Sequence, residues 1–483
     1  MLAFEATWSL MTPEIVLGAL AMLVFTIDFM TGIHEKKPFI GRLSIFSLLV
    51  TAVLVLVMNP QGGQIGDTFL VDPFAMVFKL IILVGVALVI MMSMNYLDRN
   101  EDIYQGEYYS ILLFTALGAM IMVSSADLIT LFIGLEIVSI SSYALAGFKK
   151  HNIDSTEASI KYIVLGGTAS AFILFGMSYL YGLTGTTSLY EIGAAMPELF
   201  ADYTVMIMIS LLFMLGGFGF KVSMVPFHMW APDVYYGAPT PVTAFLATVS
   251  KLAAFGIIIR VFTLGFESIY AEWAFIVATI AAITMIVGNF IALTQQDVKR
   301  LMAYSGIAQA GYILVPIATV LNNFSMTVII FYSVAYIMMT LGAFSIITLV
   351  SEESGRKTGM DTFAGLYQRA PYMAVAMAIF LLSLAGLPFT AGFIGKANIF
   401  LLAINGNMLW LAIIMIVTSI ISFYYYFGVI KQMFMADPKP NAEEIKVPGG
   451  IQAVVTVTLA GTVLLGILPN LLLDLFTGFN WMI

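Results

Sequence analysis

The stretch at 214-251, MLGGFGFKVSMVPFHMWAPDVYYGAPTPVTAFLATVSK, is apolar enough to lie in a membrane, yet it holds a lysine, a proline and a histidine. Pro226 has no amide donor and clashes with the turn before it, so a helix carrying Lys221 bends or stops near Val225. Backbone groups freed at membrane depth are tolerated only where protein or a water-lined cavity receives them. Lys221 precedes the proline by five residues, His228 follows it by two, and Lys251 lies in the next apolar segment. An ionisable residue inside a membrane segment marks a functional site by default.

The rest of the 483-residue chain has lipid as its solvent. Hydrophobic residues make up 61% and charged residues 10%, against about 45–50% and about 25% in soluble domains. The reading is an all-α polytopic protein forming one integral membrane domain over 1-483. There is no cysteine, which excludes disulfides, thiolate metal sites and cysteine nucleophiles. A formal charge of −8 without a basic arm excludes nucleic acid as a partner. The 31 methionines read as adaptable core and lipid-facing filling.

Fourteen apolar segments follow in order, at about 11-31, 40-58, 72-94, 108-123, 125-147, 155-180, 204-230, 240-264, 271-294, 300-320, 325-350, 372-404, 407-434 and 451-473. The first is too long, and its start too acidic, for a cleaved signal peptide. NPQGGQIGDTFLVDP at 59-73 and the polar, Gly/Thr-rich 181-203 read as connections. Asp154, Ser155 and Glu157 can cap and charge the start of segment 6. Segment 12 is too long for a simple span and contains LAGLPFTAGFIGK, so Pro388, Gly386 and Gly392 break it as Pro226 breaks segment 7.

Basic residues orient this array. With the N-terminus outside, the inner connections hold Lys36, Lys37, Arg42, Arg99, Lys149, Lys150, Lys299, Arg300, Arg356, Lys357, Arg369, Lys431, Lys439 and Lys446, and the outer ones hold none. That asymmetry places both termini on the outer side. Within apolar segments lie Lys79 and Arg260, close enough to an outer end to snorkel, and Lys161, Lys221, Lys251 and Lys396, which have no such explanation. The breaks are five segments apart. Segments 1–3 (1-95) thus precede two five-helix copies, segments 4-8 (108-264) and 9-13 (271-434), with segment 14 (451-473) last. An odd number of spans per copy inverts one copy against the other, as in ion-coupled transporters.

Protons suit these residues best. Low dielectric disfavours an ammonium ion and a nearby carboxylate favours it, so moving the carboxylate would switch a lysine's proton affinity. Glu136, deep in segment 5, is the natural partner of Lys221, and His228 and Lys251 could then forward protons. The plain alternative is a structural ion pair with helix-stabilising kinks. His34, His151 and His228 form no metal cluster, and the GLTGTT and GGFGFK glycines lack a strand-loop-helix context for phosphate. The aromatic run Phe423, Tyr424, Tyr425, Tyr426 and Phe427 reads as packing or an interfacial belt.

Several blocks carry a resemblance: GLEIVSISSYALAGF at 134-148, EASIKYIVLGG at 157-167, FKVSMVPFHMWAPDVYYGAPTPVTAFLATVSK at 220-251, DVKRLMAYSGIAQAGY at 297-312 and LAGLPFTAGFIGK at 384-396. In this order, over nearly the whole chain, they resemble the antiporter-like membrane subunits of the proton-pumping NADH-quinone oxidoreductase, respiratory complex I. The resemblance implies fourteen core helices, inverted repeats and breaks in segments 7 and 12. It makes Glu136 the segment 5 carboxylate paired with Lys221, Lys251 the central lysine of segment 8, His228 a linking group, and Lys396 the residue at the outward half-channel. Lys161 matches a further charged position of less settled role. Lysine rather than glutamate at 396 sets the chain apart from the M type, and the lack of a long lateral helix from the L type.

The same resemblance implies proton translocation coupled to electron transfer from NADH to quinone, in a bacterial inner membrane with both termini periplasmic. It implies no cofactor in this chain, with FMN and iron-sulphur clusters elsewhere in the complex. Implied partners are M-type and K-type neighbours and the lateral helix of the L-type subunit. Cation/proton antiporter subunits share the architecture and are the rival reading.

Overall fold

The computed structural model describes residues 9–31, 38–58, 62–99, 105–319, 323–355, 357–438, 443–479 and 481. Lys36, Lys37, Arg356 and Lys439 of the charge argument, and His34 of the metal argument, lie outside them. Among the described residues, thirteen helices are long and apolar enough to cross a membrane. Two shorter ones, Pro371–Ala385 and Ala391–Asn405, together make the broken segment 12. The fourteen expected segments are therefore all present, ending with Gly449–Ile467. Segment 8 is enclosed on all sides and segments 10 and 11 nearly so, whereas segments 1, 6 and 13 turn most of their surface outward.

Local sequence fixes the helix starts. Asp72 ahead of Pro73 opens segment 3 and accepts the amide of Ala75 at 2.7 Å. Asp127 opens segment 5, and Asp297 opens segment 10. Each supplies an acceptor to first-turn amides that have no partner within the helix. Segment 6 is capped by Asn152, not by the expected residues, because Ser155 turns its hydroxyl to the Ala146 carbonyl across the 5–6 connection.

Two connections differ from expectation. Residues 181–203 are not an irregular loop: segment 6 runs Ile153–Thr184, and a helix restarts at Leu189, kinks at Tyr203 and continues to Val222. Leu189, Ile192 and Met196 are fully buried at helical spacing, a period hidden in the sequence by Pro197 and the Gly/Thr-rich start. The 59-71 connection contains a hairpin of β1 (Gly63–Ile65) and β2 (Phe69–Val71). Its backbone bonds to Ser124 and Ala126, and the Ala126 and Leu128 backbone bonds in turn to Leu189 and Thr187. These three connections are thus laced together on one side. On the opposite side, Val298 and Met360 amides bond to Thr358 and Gln296 carbonyls, joining the 9–10 and 11–12 connections.

Candidate functional site

Segment 7 stops at Val222, where Ser223 adopts a left-handed backbone with φ 62°. The short helix Trp230–Gly237, here called 7b, follows the break. The freed backbone groups meet polar partners: Trp230 Nε1 donates to the Phe220 carbonyl at 2.7 Å, and the Val225 amide donates to Thr284 Oγ1 at 3.1 Å. Lys221, in the last turn before the break, is buried. Its Nζ donates to Ser139 Oγ at 3.0 Å and to the Tyr162 hydroxyl at 3.4 Å.

The expected contact between Glu136 and Lys221 is not direct. Segment 5 places Ser139 against Lys221, while Glu136, one turn away and half-buried, turns to segment 6 and accepts Ser170 Oγ at 2.5 Å. No ion pair joins Glu136 to Lys221 within 4.0 Å, although the carboxylate lies within electrostatic reach of the ammonium. His228 is buried in the break, with its Nδ1 lacking a hydrogen-bond partner among the described residues. It has no side-chain hydrogen bond to Lys221 or Lys251 there.

Lys251 follows directly on a π-helical turn, Leu246–Ser250, that interrupts segment 8. Its Nζ donates to the Gly306 carbonyl at 2.9 Å. A side chain at position 306 would come within 3.3 Å of both Lys251 Nζ and the Tyr336 hydroxyl, so this glycine keeps open the space they share. Tyr336 donates to the Ala247 carbonyl inside the π turn at 2.9 Å. Such turns concentrate at functional sites, and nothing in LATVSK announces this one.

Lys396 sits beyond the second break, where Gly386 (φ 101°) and Phe389 (φ 67°) carry the chain through left-handed backbone. It reaches back to the first half of its own segment, donating to the Leu384 and Ala385 carbonyls at 2.8 and 3.2 Å. It also contacts Ser419 Oγ at 3.4 Å and lies 4.5 Å from the Tyr312 ring centre. A cation at a helix C-terminus is favoured by the dipole and meets carbonyls the helix leaves open. A cavity of about 330 Å³, walled by Phe393, Phe400 and Phe423, opens beside it.

Between Lys251 and Lys396 runs a set of polar groups that the sequence reading missed. Gln309 donates to the Leu384 carbonyl at 3.0 Å and accepts from Tyr332; Ser305 bonds to Tyr426; Tyr425 donates to Asn289 at 3.0 Å; Tyr312 bonds to Thr418 at 2.9 Å. The available signal was the spacing of Ser305, Gln309 and Tyr312 along one helical face of segment 10, whose charges are confined to its first turn. The aromatic run accordingly divides. Tyr424 and Phe427 are exposed, whereas Tyr425 and Tyr426 are buried and hydrogen-bonded, neither belt nor plain packing.

Four other basic residues depart from expectation. Lys161 is not part of the central set; it is partly exposed and pairs with Glu157 at 2.7 Å and Asp233 of 7b at 2.6 Å, while Asp233 also pairs with Arg300 at 3.1 Å. Lys79 and Arg260 do not snorkel. Lys79 is fully buried against Glu14 at 2.7 Å, and Arg260 grips Asp72 through both guanidinium amino groups while donating to the Val123 carbonyl at 3.1 Å. Both found buried carboxylates nearer than solvent. Lys299, read as a loop residue, is buried and donates to the Tyr236 and Ala238 carbonyls at 2.8 and 2.7 Å, closing the end of 7b. A cavity of about 820 Å³ opens beside it, bordered by Lys149, Asp154, Arg300 and Lys357. Among the described residues, no three His, Asp or Glu side chains gather as a metal site.

Residues 125–422 match the family described as "NADH:quinone oxidoreductase/Mrp antiporter, TM". The chain is 44% identical to the NADH-quinone oxidoreductase subunit N of Brevibacillus brevis, covering 98% of this chain and 95% of that one. It superposes on a chain of respiratory complex I of Thermus thermophilus with bound aureothin, with a TM-score of 0.81 and 30% identity over 96% of this chain and 99% of that one. It also shares the fold of a chain of the Mrp complex of Dietzia sp. DQ12-45-1b, with a TM-score of 0.81 at 19% identity over 98% and 95% of the two chains. The chain belongs to the antiporter-like membrane subunits of NADH-quinone oxidoreductase. Within them it stands with the N-type subunits, as its relatives' names and full-length coverage show.

Proposed function

We propose that this chain translocates protons as the N-type membrane-arm subunit of a respiratory complex that passes electrons from NADH to quinone. Lys221, Lys251 and Lys396 are the proton carriers, Glu136 tunes Lys221 through space, and His228 borders the path at the break. Lys161 acts at a distance, holding 7b through Asp233. The observation that carries this reading is that three lysines lie buried in the bundle without a carboxylate at ion-pair distance among the described residues, each held by hydroxyls or carbonyls. An ammonium so held is only partly compensated, and its charge is the cheapest in the bundle to give up. The 44% identity to an N-type subunit favours this over the cation/proton antiporter reading, for which there is likeness of fold alone.

The chain contributes no redox centre in this reading, and NADH, flavin, iron-sulphur clusters and quinone are handled elsewhere in the complex. M-type and K-type subunits and the L-type lateral helix are its neighbours. The inverted relation of 108-264 and 271-434 belongs to the same proposal, supported by breaks five segments apart. So does a bacterial inner-membrane location with both termini periplasmic. Single cysteines introduced at Lys150 and at Thr187 should be labelled from opposite sides, cytoplasmic and periplasmic; labelling from one side removes the topology.

Each elementary charge crossing the membrane carries about 2.3 kcal/mol per 100 mV, so pumping requires an imposed rearrangement. Lys221→Ala in the assembled enzyme should abolish most quinone-linked turnover and acidification while sparing NADH oxidation by artificial acceptors. Lys221→Arg should do the same, because guanidinium holds its proton. Normal pumping in both variants removes Lys221 as a carrier.

A further inference from the structure

We propose that Tyr235 relays protons between Lys221 and Lys251 through its hydroxyl. The proposal rests on the reading of those two lysines as carriers and adds the group that connects them. His228 was the sequence's candidate for this connection, but it is hydrogen-bonded to neither lysine among the described residues. Tyr235 lies on 7b, is fully buried, and its hydroxyl has no hydrogen-bond partner among the described residues.

Its surroundings point both ways. The Trp230 indole stacks on Tyr162 with ring centres 4.4 Å apart and meets Tyr235 edge-on at 6.0 Å. Tyr162 is the residue whose hydroxyl takes the Lys221 ammonium. The second neighbour is Tyr336, within electrostatic reach of Tyr235, which shares with Lys251 the space above Gly306. Tyr162 and Tyr336 are the titratable groups within electrostatic reach of Tyr235. Segment order therefore runs from 7 through 6 and 7b to 11 and 8, with phenols at each step. Thr340 of segment 11, one turn beyond Tyr336, adds a further buried hydroxyl that has no close hydrogen-bond partner among the described residues.

The ring is also held in place. Asp233 ties 7b to Lys161 and Arg300, Lys299 closes on the Tyr236 carbonyl, and Thr243 Oγ1 donates to the Tyr235 carbonyl at 2.9 Å. A phenylalanine would fill the same volume without an unpaired polar atom, so packing alone gives no return for the desolvation of this hydroxyl. In the relay, a proton arrives on the phenol oxygen from the Tyr162 side as the phenol's own proton leaves toward Tyr336. One O–H bond forms as another breaks, and no charge remains on the ring.

Tyr235→Phe keeps the ring and its contact with Trp230. In membrane vesicles, with assembled enzyme counted by NADH oxidation through an artificial acceptor, it should lower quinone-linked turnover and acidification per enzyme about ten-fold or more, on the scale of a lost proton-transfer group. The residual turnover should show a larger solvent deuterium effect than the parent. Normal turnover per assembled enzyme overturns the proposal, including where the number of assembled enzymes falls, because that pattern is packing. Lys221→Ala measured alongside separates the two ideas. If it is impaired while Tyr235→Phe is normal, only the relay fails; if both are normal, the proposed function fails as well.

Discussion

The two helix breaks look alike in sequence, and the structure uses them differently. At the segment 12 break, Lys396 follows the proline and itself satisfies the Leu384 and Ala385 carbonyls of the preceding half-helix. At the segment 7 break, Lys221 comes before the proline, and the Phe220 carbonyl is taken by the indole of Trp230 instead. Lys221 is thereby left to hydroxyls, which can donate as readily as they accept. One lysine is thus part of its break's hydrogen bonding, and the other is merely adjacent to it. Losing a proton would strip the charge from the bonds by which Lys396 holds two half-helices together, whereas Lys221 can turn from donor to acceptor toward the same neighbours.

Three substitutions test that contrast. The largest effect on stability should come from Lys396→Ala, which removes a donor from two buried carbonyls. Each unpaired buried group costs about 1–3 kcal/mol, and Gln309 still serves only Leu384. Assembled enzyme on native gels and its melting in detergent should both fall clearly below Lys221→Ala; equal stability of the two would erase the distinction. Trp230→Phe should come next, costing about 0.5–1.5 kcal/mol, because the Phe220 carbonyl loses the indole but keeps the Ser223 amide at 3.0 Å. A melting temperature unchanged from the parent would mean that the break does not depend on the indole. Smallest is Glu136→Gln. With no direct bond to Lys221, it should leave assembly intact and shift pumping less than Lys221→Ala does; loss as severe as the lysine variant would show that a contact forms during turnover.

What could be read from the sequence was whatever announces itself by a single residue. Pro226 and Pro388 disrupt helices wherever they stand, and a lysine amid apolar residues is visible without a fold, so both breaks and the central lysines were accessible. Partnership was not. Lys79 and Arg260 resembled snorkelling residues because Glu14 and Asp72, which hold them, are distant in the chain. Glu136 and Ser139 are three residues apart on one helix, and only the rotation of segment 5 decides which of them faces Lys221. The helix at 189–203 was hidden by turn-forming residues whose local preference yields to the burial of Leu189, Ile192 and Met196. Tyrosine hydroxyls gave no signal, since the same rings serve as ordinary core.

The π turn at Leu246–Ser250 makes segment 8 two half-helices that share a backbone but not a phase. Thr243, before it, is keyed to the Tyr235 carbonyl; Lys251, after it, is keyed to Gly306; and Arg260, farther on, is clamped to Asp72. Each residue of an α-helix advances the side chain by about 100°. Winding the same residues as one continuous α-helix would therefore swing everything beyond the turn by about that angle relative to everything before it. Segment 8 acts as a phase shifter: its first half is indexed to 7b and its second half to segments 3 and 10, a pairing of neighbours that no uniform helix of the same length could serve at once.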